Sequence, residues 1–249
     1  MLRRLLSWLG SDDDRPDDPE TRADRLREIG RDPLAHGHDA TEEVLAALSD
    51  ESPLVRTTAA EVLGSVEVYH ELVAADPLVE RLDDPERSVR LAAAEALTVT
   101  TDATVVDDVL PYALADDSGV RAAGAVGLYH ALSRVTYEFA PAQVEALFDA
   151  FEAAATDGDE TATEDDELAR EYLLSAISRG VATRDLASLD AERTDILVNA
   201  LDDTISVSGQ AAALLGHVDN ETARAALRDA RESHADERVR DAAAEALDG

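Results

Sequence analysis

Two short stretches of this chain carry residue types that chemistry needs. His36, Gly37, His38 and Asp39 put two imidazoles and a carboxylate within four residues, a donor set that suits a transition metal. Thr156 to Glu167, TDGDETATEDDE, crowds carboxylates as a calcium loop does. Neither stretch completes its site. HGHD has no companion ligand at helical spacing and reads as a polar loop before the helix-like TEEVLAAL. Counted from Asp157, a calcium loop needs glycine at its sixth position and glutamate at its twelfth. The chain has Ala162 and Leu168 there, so the segment reads as a solvated loop. With no cysteine there is no disulfide framework and no thiolate metal site. Glycine-rich phosphate loops, nucleophile elbows and Ser/His/Asp arrangements are also missing. The expectation is therefore a protein with no cofactor, metal or catalytic residue, and not an enzyme.

Composition narrows the class further. Against 55 acidic residues stand 22 basic ones, every one an arginine, for a formal net charge of −33. Such a surface repels itself at low ionic strength. In molar salt the screening length falls to about 3 Å and the repulsion largely disappears. A lysine-free, aspartate-rich, aromatic-poor chain resembles the proteins of salt-in halophilic archaea. Disorder, the other standard reading of high charge, is opposed by a 45% hydrophobic content with strong periodicity. No apolar run approaches the roughly 18 residues of a spanning helix, and MLRRLLSWLG is too short for a signal peptide. The chain reads as cytoplasmic.

The elements that would position any site come from a repeated line. VRTTAAEVL starts at Val55, VRLAAAEAL at Val89, VRAAGAVGL at Val120, VSGQAAALL at Val207 and VRDAAAEAL at Val239. All five have Val first, Ala sixth and Leu ninth; the fifth residue is Ala in four copies and Gly124 in the other. At 100° per residue these positions share one helical stripe, the core face. An acidic turn precedes each copy, and an amphipathic segment precedes each turn. Each unit is thus helix, acidic turn, helix. The arginine after the first Val lies at the edge of the core face. Arg56, Arg90, Arg121 and Arg240 are expected to form a structural ladder with turn aspartates of the same or an adjacent repeat. Ser208 takes that place in one copy and should break the ladder.

Stacked helical units of this length resemble HEAT repeats, particularly the short HEAT-like repeats also found in phycobilin lyases. The resemblance implies an all-α, right-handed α-solenoid of about six helix-turn-helix repeats. Residues 1–19 would form an amphipathic N-terminal segment and acidic linker. Residues 20–249 would form a single solenoid with a divergent central part at about 131–190. The family includes scaffolds, lyases, hydroxylases and DNA glycosylases, so fold alone does not select a function. Diiron HEAT-repeat hydroxylases carry His-Glu pairs on successive second helices. Here the one such pair is His70-Glu71, outside those helices, which counts against that chemistry.

In HEAT-like arrays the second helices line the concave surface, so their outward positions would meet a partner. These are the third, seventh, tenth and eleventh residues from the Val. The first and last copies are polar there, with Thr57 and Glu61 at one end and Asp241 and Glu245 at the other. The middle copies present Leu91, Val99, Val126, Tyr129, His130, Ala213 and His217. A largely apolar strip between polar ends suits a bound protein or peptide segment. Tyr129 with His130 is the pair best suited to anchor one. The alternative is that these residues pack under the divergent segment. A second docking candidate is the N-terminal stripe of Leu2, Leu5, Trp8 and Leu9.

Nucleic acid is the less favoured partner. Residues 1–31 carry 7 arginines against 8 acids, while residues 32–249 carry 15 against 47. The favoured function is a non-enzymatic scaffold holding a protein or peptide in a high-salt cytoplasm. The alternatives are a DNA-glycosylase-like nucleic-acid binder and an accessory lyase or chaperone for a cofactor-bearing protein.

Overall fold

A computed structural model describes residues 18–36, 38–65, 75–154 and 162–248. The N-terminal stripe of Leu2, Leu5, Trp8 and Leu9 and the pair His70-Glu71 lie outside them. All regular elements among the described residues are helical. The chain opens with α1 (Pro19–Arg31), started by Asp18, whose carboxylate accepts the Thr21 amide, and by a proline that needs no partner at the first position. Short α2 (Pro33–His36) follows. Of HGHD, expected as a loop, His36 instead ends α2, and His38 and Asp39 begin α3 (His38–Ala47).

From α3 onward the helices come in pairs. α3 is followed by α4 (Pro53–Ser65). The segment α5 (Asp76–Val79) with the 3-10 turn Glu80–Asp83 is followed by α6 (Arg87–Ala96). Then α7 (Thr104–Ala113) precedes α8 (Ser118–Leu132), and α9 (Pro141–Ala153) precedes α10 (Glu164–Gly180). After short α11 (Thr183–Ala187) come α12 (Ala191–Asn199) with α13 (Ile205–Leu215), and α14 (Glu221–Ser233) with α15 (Glu237–Asp248). The second helices α1, α4, α6, α8, α10, α13 and α15 form one row in which each packs on the next. This is an all-α solenoid, as the repeated line predicts. The divergent central part contributes the pair α9 and α10 and the short helix Thr183–Ala187.

The row is built on the positions shared by the copies. Ala59, Ala93, Ala211 and Ala243 at the fifth position are fully buried, as are Leu63, Leu97 and Leu128 at the ninth. Small residues there let neighbouring backbones approach. The closest approach is at Gly124: a Cβ on it would lie 2.2 Å from the Ala113 nitrogen and from the Tyr112 carbonyl carbon. Pro111, inside α7, sits one residue before that contact.

The acidic insert divides at its end. Residues 155–161 lie outside the described chain, but Glu164 to Glu167, expected as loop, form the first turn of α10. Thr163 caps that turn reciprocally with Asp166: each side chain takes the other's backbone amide. The four acids also sit where a helix N-terminus favours negative charge.

Candidate partner-binding surface

The arginine ladder sets the register of the second helices. Arg56, on α4, points one amino group at the carbonyls of its own turn, Asp50 and Glu51, at 2.9 and 3.1 Å. Its remaining fork is bidentate to Asp84 in the next turn, with both bonds at 2.8 Å. Both side chains are buried, at 8% and 6% exposure. Burial alone would raise the Asp84 carboxyl, but the Arg56 fork and the Glu86 amide hold it below the ordinary 3.8.

The same arrangement recurs with variations that follow from single residues. Arg90 bonds its own turn at Asp84 and Pro85, but the next turn has Ala115 where the carboxylate would be. Its fork therefore turns to the Gly119 carbonyl and reaches Asp165, one repeat further on, at 4.0 Å. Arg121 reaches Asp166 at 3.0 Å through one nitrogen only. The other Asp166 oxygen already serves Thr163, which leaves the buried Nε of Arg121 without a partner. Arg240 bonds the carbonyls of His234 and Ala235.

Two rungs escape the Val-Arg search. Arg22 is bidentate to Asp50, and Arg170 pairs with Asp203 while lying 3.9 Å over the Phe151 ring. Their dipeptides are Thr21-Arg22 and Ala169-Arg170, so allowing any small residue before the arginine would have found both. At Ser208 the ladder has no arginine. Its hydroxyl donates to the carbonyls of Asp203 and Thr204, and Asp236, just before α15, pairs with Arg238 of that helix instead. Ser208→Arg is accordingly expected to raise stability by about 1–2 kcal/mol, the worth of a charge-assisted hydrogen bond. Thermal unfolding in a double-mutant cycle with Asp236→Ala checks this, because the gain should vanish when the acceptor is gone.

The predicted ridge is only partly a surface. Val99 and Val126 are 1% and 3% exposed and belong to the core, so they correct the expected strip. Val99 falls in the 3-10 turn Leu97–Val99 that ends the α6 pair, which rotates it inward. Val126 is covered because α8 is enclosed by α6, α7 and α10. Leu91, Tyr129 and His130 are half-buried, and Ala213 and His217 are exposed.

Tyr129 and His130 are joined by two residues that the sequence reading missed, both on α10. The Tyr129 and Tyr172 rings meet edge-on at 5.2 Å, and Tyr129 and His130 at 5.3 Å. His130 and Tyr172 lie 6.3 Å apart at a tilt. The Arg179 guanidinium caps the Tyr129 ring at 4.5 Å and donates to its hydroxyl at 3.2 Å. Burial, helped by the Arg179 charge, pushes the His130 imidazole below its ordinary value, so it is neutral at pH 7. The result is a fixed, half-exposed aromatic group at the middle of the row. Tyr172 is the fourth residue of its repeat, where Thr58, Ala92 and Ala123 stand in other copies; that bulky exception is the signal that could have found it.

Three of the four arginines of α1 are committed to carboxylates: Arg22 to Asp50, Arg25 to Glu43 and Arg27 to Asp24. No group of three or more histidines and carboxylates is placed to hold a metal among the described residues. None of their helices is long and apolar enough to cross a membrane.

With the helix row and its central rings in place, comparison with known proteins agrees on the class of fold. Residues 3–97 match a family model described as HEAT repeats. An engineered protein of known crystal structure is similar, at 21% identity and a TM-score of 0.55, over 84% of this chain and 95% of its own. A second engineered protein is 20% identical over 84% and 97%, with a TM-score of 0.52. A designed armadillo repeat protein in complex with the peptide (KR)4 is 19% identical over 98% and 97%, but its TM-score of 0.47 is too low to carry an argument. No curated protein matches the sequence. These likenesses concern the fold.

Proposed function

We propose that the chain is a protein-binding scaffold that holds a peptide segment against the outward face of its second helices. The observation that carries this reading is the Tyr129, His130, Tyr172 and Arg179 group, which α8 and α10 hold together and half-exposed midway along the row. Rigid aromatic side chains lose little entropy on binding and make strong anchors. Leu91 on α6 and Ala213 on α13 extend an apolar patch to either side. A nucleic-acid partner is disfavoured, because the arginines nearest to forming a basic patch are paired with carboxylates. The acidity adapts the surface to a high-salt cytoplasm, where its own repulsion is screened.

The test is an affinity capture in about 2–3 M KCl, where charge repulsion is screened. Wild type is compared with a Leu91→Asp/Tyr129→Ala variant, and bound protein and nucleic acid are both quantified. A protein retained by wild type and lost by the variant is the expected result. Recovery of nucleic acid alone, or of the same proteins on both baits, would overturn the assignment.

A further inference from the structure

A cation already sits over the Tyr129 ring, and it is the chain's own: the Arg179 guanidinium lies 4.5 Å from the ring centroid. One of its amino groups donates to the Tyr129 hydroxyl at 3.2 Å, and its remaining N–H groups have no acceptor among the described residues. Arg179 takes part in none of their ion pairs, whereas Arg121 and Arg170, on the same two helices, are each closed by a carboxylate. The groups beside it are donors as well. The Tyr129 hydroxyl accepts from Arg179 and keeps its own proton to give. The Tyr172 hydroxyl and the His130 ring, whose rings meet Tyr129 at 5.2 and 5.3 Å, bond to no acceptor among the described residues. Arg179 is exposed and the three rings are half-buried, so the group is open to solvent.

A guanidinium with an open edge, set among N–H and O–H donors, matches a carboxylate, which accepts parallel bonds from the fork. Stacking on Tyr129 fixes the fork before a ligand arrives, so little side-chain freedom is lost on binding. We infer that Arg179, with Tyr129 and His130 beside it, forms a subsite for one carboxylate side chain within the segment that the scaffold holds. An internal side chain, rather than a chain end, follows from the place of the group in the row. The helices continue on both sides of it, with half-buried Leu91 on α6 and exposed Ala213 on α13. A segment that covers both passes through the subsite instead of stopping there. The rest of the row restricts further acidity. Exposed Glu61 on α4, and Asp241 and Glu245 on α15, repel additional negative charge toward either end. The segment is therefore largely apolar, with one aspartate or glutamate placed to reach Arg179.

The inference rests on the scaffold reading, and its test is separate. Acetyl-Leu-Glu-Leu amide is titrated into the full chain at the lowest KCl concentration that keeps its circular dichroism unchanged, because salt weakens an exposed ion pair. Ring signals are followed by NMR, which five tyrosines and six histidines make tractable. Acetyl-Leu-Gln-Leu amide, the neutral isostere, is the control probe. The Tyr129 and His130 ring signals should shift with the glutamate peptide and not with the glutamine one. Arg179→Gln should bind the glutamate peptide about tenfold more weakly. Arg134→Gln, which removes an equal charge from the exposed turn after α8, should bind it as wild type does. Arg179→Lys, which keeps the charge without the planar fork, should fall between the two. Equal shifts with the two peptides, no shift at Tyr129 and His130, or an unchanged affinity in Arg179→Gln would each overturn the subsite. A response to acetyl-Leu-Gln-Leu with a free C-terminus, and none to the glutamate amide, would overturn the side-chain assignment in favour of a chain end. A captured protein partner with no glutamate response would reject the subsite and leave the scaffold standing. A glutamate response with no captured partner would support the subsite and count against the scaffold.

Discussion

Alanine in place of Asp84 is expected to cost about 3–5 kcal/mol of unfolding free energy, because the Arg56 guanidinium would stay buried with its fork unpaired. At about 2–4 °C per kcal/mol for a chain of this size, the melting temperature should fall by roughly 6–20 °C. The exposed neighbour Glu51→Ala should change stability by less than about 0.5 kcal/mol. High salt should leave the Asp84→Ala deficit nearly intact, since a buried pair is poorly screened. Thermal unfolding at low and high KCl checks both points. The pH dependence has a definite sign. The folded state holds the Asp84 carboxyl below its ordinary 3.8, so its contribution is complete above that value and is lost as pH falls further. The stability gap between wild type and Asp84→Asn should therefore be constant at pH 5 and above and should close below pH 3.8. A gap that widened in acid would contradict the rung.

The second large effect reverses a rule of thumb. Four of the five aligned copies have alanine at the fifth position, and alanine for glycine inside a helix is ordinarily worth up to about 1 kcal/mol. At Gly124 the sign should flip. The added Cβ would meet backbone atoms of Tyr112 and Ala113 at 2.2 Å, and backbone cannot rotate out of the way as a side chain can. α7 and α8 would have to separate, at a cost of about 1–3 kcal/mol or more. Gly209→Ala on α13, with nothing within 4 Å of the new carbon, serves as the matched control and should be neutral or stabilising. Denaturant unfolding of the two variants reads the difference directly.

The repeated line made the helix pairs legible because a core stripe leaves small and branched residues at fixed intervals. Fully buried Ala59, Ala93 and Leu97 are that stripe seen in three dimensions. The ladder was legible in part. Arg56 announces itself by its preceding Val, but the acceptors drift: Asp84 stands five residues before its Val, whereas Asp166 stands three before Ala169. No spacing rule reveals that Arg90 skips a turn, because Ala115 shows only that a carboxylate is missing there. The surface was the least legible part. Val99 and Val126 occupy outward positions on an ideal helix, but a closing 3-10 turn buries the first and tight enclosure of α8 buries the second. Tyr172 and Arg179 lie in a copy without the Val, and their meeting with Tyr129 depends on how closely α8 and α10 pack, which one sequence does not record.

The ladder runs from turn to turn along one edge of the helix row, from Arg22 to Asp203, and is interrupted at Ser208. Mechanically, that edge is a spine. Rungs of 2.7–3.0 Å at Arg56, Arg121 and Arg170 resist stretching, whereas the opposite ends of the same helices carry no such run of arginine–carboxylate rungs among the described residues. Bending the array should open and close the unlaced edge about the laced one, much as pages turn about a binding. The unlaced edge is where the Tyr129 rings and Arg179 sit, near the C-terminal ends of α8 and α10. The missing stitch at Ser208 leaves the step from α13 to α15 without an arginine–carboxylate rung.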